Sequence, residues 1–319
     1  MAEGRRPRRL LAVLFLTVAL AFVVVLLLRQ WTSLDEILAA TRNFPWSVRP
    51  AWLVAAWLVA VGDLMLMGSV WAGLFRRTGG SASRWECVRI WVITNFGRYI
   101  PGKVWQLGGL TVYMKGRGDS GAAALVSAVA FQIISLVTGA AVAAATVGVH
   151  WVAAGGSWLP AAVTLAVTLV VGLNPVVIRW MARRLGGLMG EDAVVVDLGA
   201  KDVVLAAGGM LIAWLVYGVG LLLLLRGVGV AWEVKQLHAL TGVFAASYVV
   251  GYMALIAPGG LVVREGAMTG LLTELSEMPV GVAAAVAILA RLWLVGAELG
   301  ALALVLAWPA KNAIQERDA

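Results

Sequence analysis

Two hydrophobic stretches of this chain are interrupted by the same punctuation, Arg98-Tyr99-Ile100-Pro101-Gly102-Lys103 in the first half and Ala257-Pro258-Gly259-Gly260 in the second, and charged residues stand beside both. Proline removes a backbone donor and glycine loosens the backbone, so each break unwinds a helix. In lipid, unwound backbone finds no solvent to bond, and it is tolerated only inside protein or beside a watery cavity. Matched Pro/Gly interruptions in the two halves of a membrane chain are the pattern around which transporters build a binding site.

The membrane itself follows from composition: 61% of the 319 residues are hydrophobic, only 13% are charged, and the mean hydropathy is +0.91. No polar linker separates soluble units, so residues 1–319 read as one integral membrane domain. A net charge of +8 would suit nucleic acid. The basic residues, however, sit in short clusters beside apolar spans, where membrane orientation and anionic headgroups account for them, and no nucleic-acid partner is expected. One cysteine, Cys87, and two distant histidines, His150 and His238, exclude an internal disulfide and give no zinc spacing, so no metal or cofactor is implied.

Spanning-length apolar segments are 10–28, 51–75, 119–149, 158–178, 202–225 and 281–308, with the interrupted segments at 86–114 and 237–273. Residues 5–9, rich in arginine, followed by Leu10–Leu28 resemble a signal peptide, but the apolar run reaches spanning length, and a retained first helix is expected. Ser33-Leu34-Asp35-Glu36 has the form of a capping box opening a short interfacial helix. Placing the N-terminal arginines in the cytoplasm puts Arg76, Arg77, Arg84, Lys115, Arg117, Arg179, Arg183, Arg184 and Lys201 on that side only if each interrupted segment enters and leaves on one side. The fold class expected is therefore an all-α polytopic membrane protein of six spans plus two re-entrant hairpins, with both termini cytoplasmic. Residues 1–50 would form an anchor helix and external segment, 51–149 a first repeat, 150–201 a connecting span and loop, and 202–310 a second repeat of inverted topology.

Arg98 and Lys103 flank Pro101-Gly102, and two cations in an apolar hairpin are costly unless they meet an anion, a carboxylate or water. Trp105 and Gln106 add an aromatic face and a donor, and the helix ends made by the break expose N–H groups suited to phosphate. The opposing reading is that both cations snorkel to the interface. In the second break, Pro258, Gly259 and Gly260 end one helix, and Arg264-Glu265 open the next, as a helix cap with its structural partner or as a functional pair. Asp63, Arg291 and Glu298 lie within spans. Arg291 and Glu298 sit two turns apart and are expected to pair with other helices, with Asp63 balancing Arg291; Asp63 and Glu298 are also candidate proton carriers.

The runs Arg98–Trp105 and Pro258–Gly266 resemble the two motifs of the flippase-like transmembrane domain of bacterial lysylphosphatidylglycerol synthase/flippase proteins, and the resemblance covers about residues 50 to 310. Val263 departs mildly from the family's pattern around the Arg-Glu pair. The resemblance implies a lipid translocator of the bacterial plasma membrane. It would move an anionic or modified phospholipid or a polyprenyl-phosphate-linked lipid, with membrane lipids as its ligands and a second copy or an envelope-biosynthesis subunit as its protein partner. Full-length members append a cytoplasmic synthase domain; nine residues follow Ala310 here, so aminoacyl-tRNA chemistry is not expected and the chain is read as no enzyme. A membrane enzyme acting on a lipid-linked phosphate, or a scaffold subunit, is the alternative. The sequence offers no Asp-rich metal motif, Gly-rich nucleotide loop or nucleophile–base pair for it.

Overall fold

In the computed structural model, the residues described are 39, 41–99, 105–153, 155–157, 159, 162, 166, 170, 173–188, 198–254, 260–276 and 278–308. Four of the expected spans are continuous helices: α1 (Pro50–Arg77), α4 (Gly121–Ala153), α6 (Ala200–Gly227) and α9 (Val280–Ala307). The shortest have 28 residues, or about 42 Å at 1.5 Å per residue, more than the roughly 30 Å of a hydrocarbon core. Shorter helices lie between them: α2 (Arg84–Asn95), α3 (Trp105–Gly116), α5 (Pro175–Leu188), α7 (Leu237–Met253) and α8 (Val263–Ser276). No strand occurs among the described residues.

The expected span 10–28 and the capping box at 33–36 lie outside the described residues, as does most of 158–178. The end of that last span differs from expectation. Instead of continuing to 178, the chain turns at Leu173-Asn174, where the Asn174 side-chain oxygen accepts from the Val176 N–H (2.8 Å) and Pro175 begins α5. A capping asparagine followed by proline is a helix start strong enough to override unbroken hydrophobicity. α5 is amphipathic, with Ile178 buried against the bundle and Trp180 exposed under the Arg184 guanidinium at 5.9 Å.

α1 and α6 form the central seam and run antiparallel. Arg77 meets Asp202 at one end (2.9 Å), Gly209 packs on Val70 and Gly220 near Val59 along the middle, and Gly227 packs on Leu53 at the other end. Glycines on the shared face let the helices approach closely. α2, α3 and α4 pack together on one flank, α7, α8 and α9 on the other, with α4 touching α7 and α9 touching α1 across the middle. Each flank has its own aromatic core. Phe75, Trp71, Trp91 and Phe131 follow one another with centroids 4.5 to 5.7 Å apart. On the second flank Tyr217 stacks on Phe244 at 4.4 Å, with Trp293 edge-on.

The bundle has a basic end, where α1 ends and α4 and α6 begin, carrying Arg76, Arg77, Arg84, Lys115, Arg117 and Lys201. At the opposite end the Ser47 and Arg49 N–H groups donate to Val228 and Gly227 carbonyls (3.2 and 2.8 Å), and Thr41 donates to Gly281 (3.4 Å). Helix pairs α2–α3 and α7–α8 start from these two different ends.

Candidate functional site

The first interrupted segment closes on itself. At its start Ser83 caps α2 by accepting the Glu86 N–H (3.3 Å). The Asp119 carboxylate, just past α3, accepts from the Ser81 and Ala82 N–H groups (3.0 and 2.9 Å), and Arg117 forms an ion pair with Glu86. Entry and exit are thereby held together at the basic end. At the far tip α2 tightens into a 3₁₀ turn, Phe96–Tyr99, and Gln106 donates to the Asn95 side chain across the break (3.4 Å).

That tip delivers Arg98 and Tyr99 to α9. Arg98 forms an ion pair with Glu298, and the Tyr99 hydroxyl donates to the other Glu298 oxygen (2.8 Å). Glu298 is 1% exposed, so its charge is held by these two partners and not by water. The Tyr99 ring lies between two guanidinium groups, Arg98 at 5.4 Å and Arg291 of α9 at 5.2 Å from its centroid. Cation–π attraction of this kind is strongest where water is excluded.

From the other direction, the second interrupted segment brings Arg264. Its turn is tight: Gly260 has φ +71° and sits against the Gly251 backbone, where an added Cβ would lie 2.8 Å from the Gly251 carbonyl oxygen. Val262 also adopts a left-handed φ of +70°, a conformation β-branched residues rarely take. α8 follows, and its first turn buries Arg264, 7% exposed, with the guanidinium over Phe244 (4.8 Å) and Tyr248 (5.6 Å). Among the described residues no carboxylate lies within ion-pair distance of Arg264. Glu265 points instead to Arg291, 3.8 Å away.

The three arginines line one cavity of about 80 Å³ on the inner side of the α1–α6 seam, with Gln106, Gln132, Tyr217, Tyr248 and Gly260 in its wall. That volume holds a few water molecules and is too small for a phospholipid headgroup.

Arg98, Gln106, Gly260, Arg264 and Arg291 line the cavity, while Glu265 and Glu298 stand beside its arginines. Trp105 is 54% exposed and lies outside the lining. Pro101, Gly102, Lys103, Pro258 and Gly259 lie outside the described residues. Two expected pairings are corrected. Arg264 and Glu265 do not pair, because successive helical residues project about 100° apart, and Arg291 faces Glu265 where Asp63 had been expected. Asp63 is buried between α1 and α6 beside Tyr217. Arg291 and Glu298 each pair with another helix, as their spacing required. Sequence reading gave the tyrosines no role, yet of the five in the chain, Tyr99, Tyr217, Tyr248 and Tyr252 all surround the arginines or the cavity. Their concentration at the two breaks and in the apolar span between was the available signal.

Residues 10–297 match the family model described as Lysylphosphatidylglycerol synthase TM region, and the chain belongs to that family. No curated protein and no solved structure matches it. With four helices among the described residues long and apolar enough to cross a bilayer, this membership makes it a multi-pass membrane protein.

Proposed function

We propose that this member of the lysylphosphatidylglycerol synthase TM region family is a non-enzymatic lipid translocator that takes an anionic, phosphate-bearing headgroup into the arginine cavity. The observation that carries the reading is Arg264, a buried cation in a cavity wall, supported by aromatic faces and by no carboxylate in ion-pair range among the described residues. A desolvated guanidinium is unfavourable by several kcal/mol until an anion reaches it, and its fork of donors matches a phosphate. Arg98 is held by an internal anion, Glu298, which a headgroup phosphate would displace, and Arg291 completes the basic wall. The tails stay in the bilayer.

In this reading α2–α3 and α7–α8 are re-entrant hairpins entering from opposite faces, and the two flanks are inverted repeats about the α1–α6 seam. Six spans, cytoplasmic termini and the bacterial plasma membrane complete it, with the basic end facing the cytoplasm. Opening one hairpin at a time would expose the cavity to one leaflet and then the other. The cargo class is an anionic or modified phospholipid or a polyprenyl-phosphate-linked lipid, and membrane lipids are the partners.

Proteoliposomes carrying a fluorescent phosphatidylglycerol analogue test it, by the fraction of label that becomes accessible to an impermeant quencher. The wild-type chain is expected to exceed lipid-only vesicles. Arg264→Ala should slow translocation at least about tenfold, since a hydrogen bond to a charged group is worth roughly 1.5–3 kcal/mol. Lys235→Ala, on an exposed side chain paired with Glu233, should match wild type. Equal rates for Arg264→Ala and wild type would remove the arginine cavity from the path.

A further inference from the structure

On its outer side the α1–α6 seam carries a second, larger depression. At the basic end a cavity of about 630 Å³ is walled by Leu66, Val70, Gly73 and Leu205, with Arg76, Arg77 and Arg84 around its mouth. A further cavity of about 250 Å³ shares Leu66 with it and continues along the seam past Gly62 and the buried Asp63 to Val219. These faces are distinct from the arginine cavity, to which the same helices contribute Met67 and Met210.

The geometry points to a binding groove for one anionic phospholipid, its phosphate on Arg76 and Arg84 and one acyl chain lying along α1 and α6 toward Gly62. Three features fix that occupant. The mouth is cationic: Arg77 is engaged by Asp202 at 2.9 Å, while Arg76 and Arg84 have no ion-pair partner among the described residues. Between the charged mouth, which Asp202 shares, and Asp63 at the far end, the wall is largely apolar: Leu66, Val70, Leu74, Ala206 and the exposed Leu205 (63%) line it beside exposed Val204 (68%), and Ser69 turns its hydroxyl back onto the Met65 carbonyl (2.9 Å). The length fits, for Gly62 to Arg77 on a helix spans about 22 Å, which covers a single leaflet's share, roughly 15 Å, of the hydrocarbon core. Added Cβ atoms at Gly62 and Gly73 would meet nothing within 4 Å, so the groove floor is open at both positions. A lipid held here touches both helices of the seam without entering the arginine cavity.

Photocrosslinking reads the site directly. The full chain is reconstituted in phosphatidylcholine vesicles containing phosphatidylglycerol with a carbene precursor near the end of one acyl chain, and adducts are mapped by mass spectrometry after irradiation. Adducts are expected on α1 between Gly62 and Val70 and on α6 between Leu205 and Val219. Each of Arg76→Gln and Arg84→Gln should lower them about fivefold, the effect of roughly 1 kcal/mol per basic residue near a membrane surface. Gly73→Leu, whose side chain fills open space and leaves the fold intact, should abolish them. Phosphatidylcholine carrying the same precursor should give far fewer, and millimolar inorganic phosphate should leave the phosphatidylglycerol adducts unchanged. Equal adducts from both lipids, or no effect of Gly73→Leu, would overturn the proposal, and displacement by inorganic phosphate would reassign the mouth to a free anion. Adducts replaced by contacts to the chain's own residues 10–28 would show the groove to be filled by protein. Because translocation is not the readout, this test and that of the arginine cavity fail separately.

Discussion

Glu298 holds two partners at once, the Arg98 guanidinium and the Tyr99 hydroxyl, at 1% exposure. Breaking a buried pair by removing one charge typically costs 3–5 kcal/mol, because the partner is stranded. Glu298→Gln keeps the shape and the tyrosine bond but strands Arg98; the thermal midpoint should fall by several degrees and recover when anionic lipid is added, as a thermal shift with and without phosphatidylglycerol would record. Absence of recovery would mean that no lipid phosphate reaches Arg98. Glu265→Gln separates a structural from a transporting role. At 3.8 Å from Arg291 its pairing is loose, so as a helix cap it would contribute on the order of 1 kcal/mol and translocation would persist. Collapse of translocation in a folded variant would assign it a charge-carrying role. Val262 tests the second turn: at φ +70°, Val262→Gly should raise stability by about 1 kcal/mol by relieving a left-handed β-branched residue, while Val262→Ala should not.

At the scale of elements, the α2–α3 pair is defined by what ties its ends together. Asp119 gathers the N–H groups before α2, and Arg117 reaches Glu86 within it, so Lys115 and Arg77 must share one end of the bundle. Single-cysteine labelling tests this on a Cys87→Ser background, Cys87 itself being fully buried. Cysteines at positions 77 and 115 should label from the same side of the membrane, and those at 226 and 274 from the other. Labelling at 115 from the side opposite 77 would require α2–α3 to cross and would remove the inverted repeat. The sequence led to the expectation of a re-entrant hairpin here because a full crossing would have scattered the basic loops. It did not reveal the α5 boundary, where a local cap at Asn174-Pro175 cut short a run that hydropathy alone extended.

For the molecule as a whole, the α1–α6 seam is the fixed axis in this reading and the hairpin tips are the moving parts. A disulfide between cysteines at Leu53 and Gly227, which already touch across the seam, should leave translocation unchanged. A cleavable bifunctional crosslinker joining cysteines at Gln106 and Tyr252, both of which line the cavity, should stop it until cleaved; persistence of transport in the locked form would exclude opening at the tips. The sequence by itself determined that the chain is helical and lives in a membrane, and where four of its spans run. Those properties follow from composition, period and backbone chemistry, which act locally. Only the tertiary structure decided which charge meets which: Glu298 with Arg98 across 200 residues, Glu265 with Arg291, and Arg264 with the Phe244 and Tyr248 rings. In an apolar interior any ion pair is strongly favoured over a lone charge, so many pairings satisfy the same sequence, and the choice falls to helix rotation and depth, which long-range packing sets.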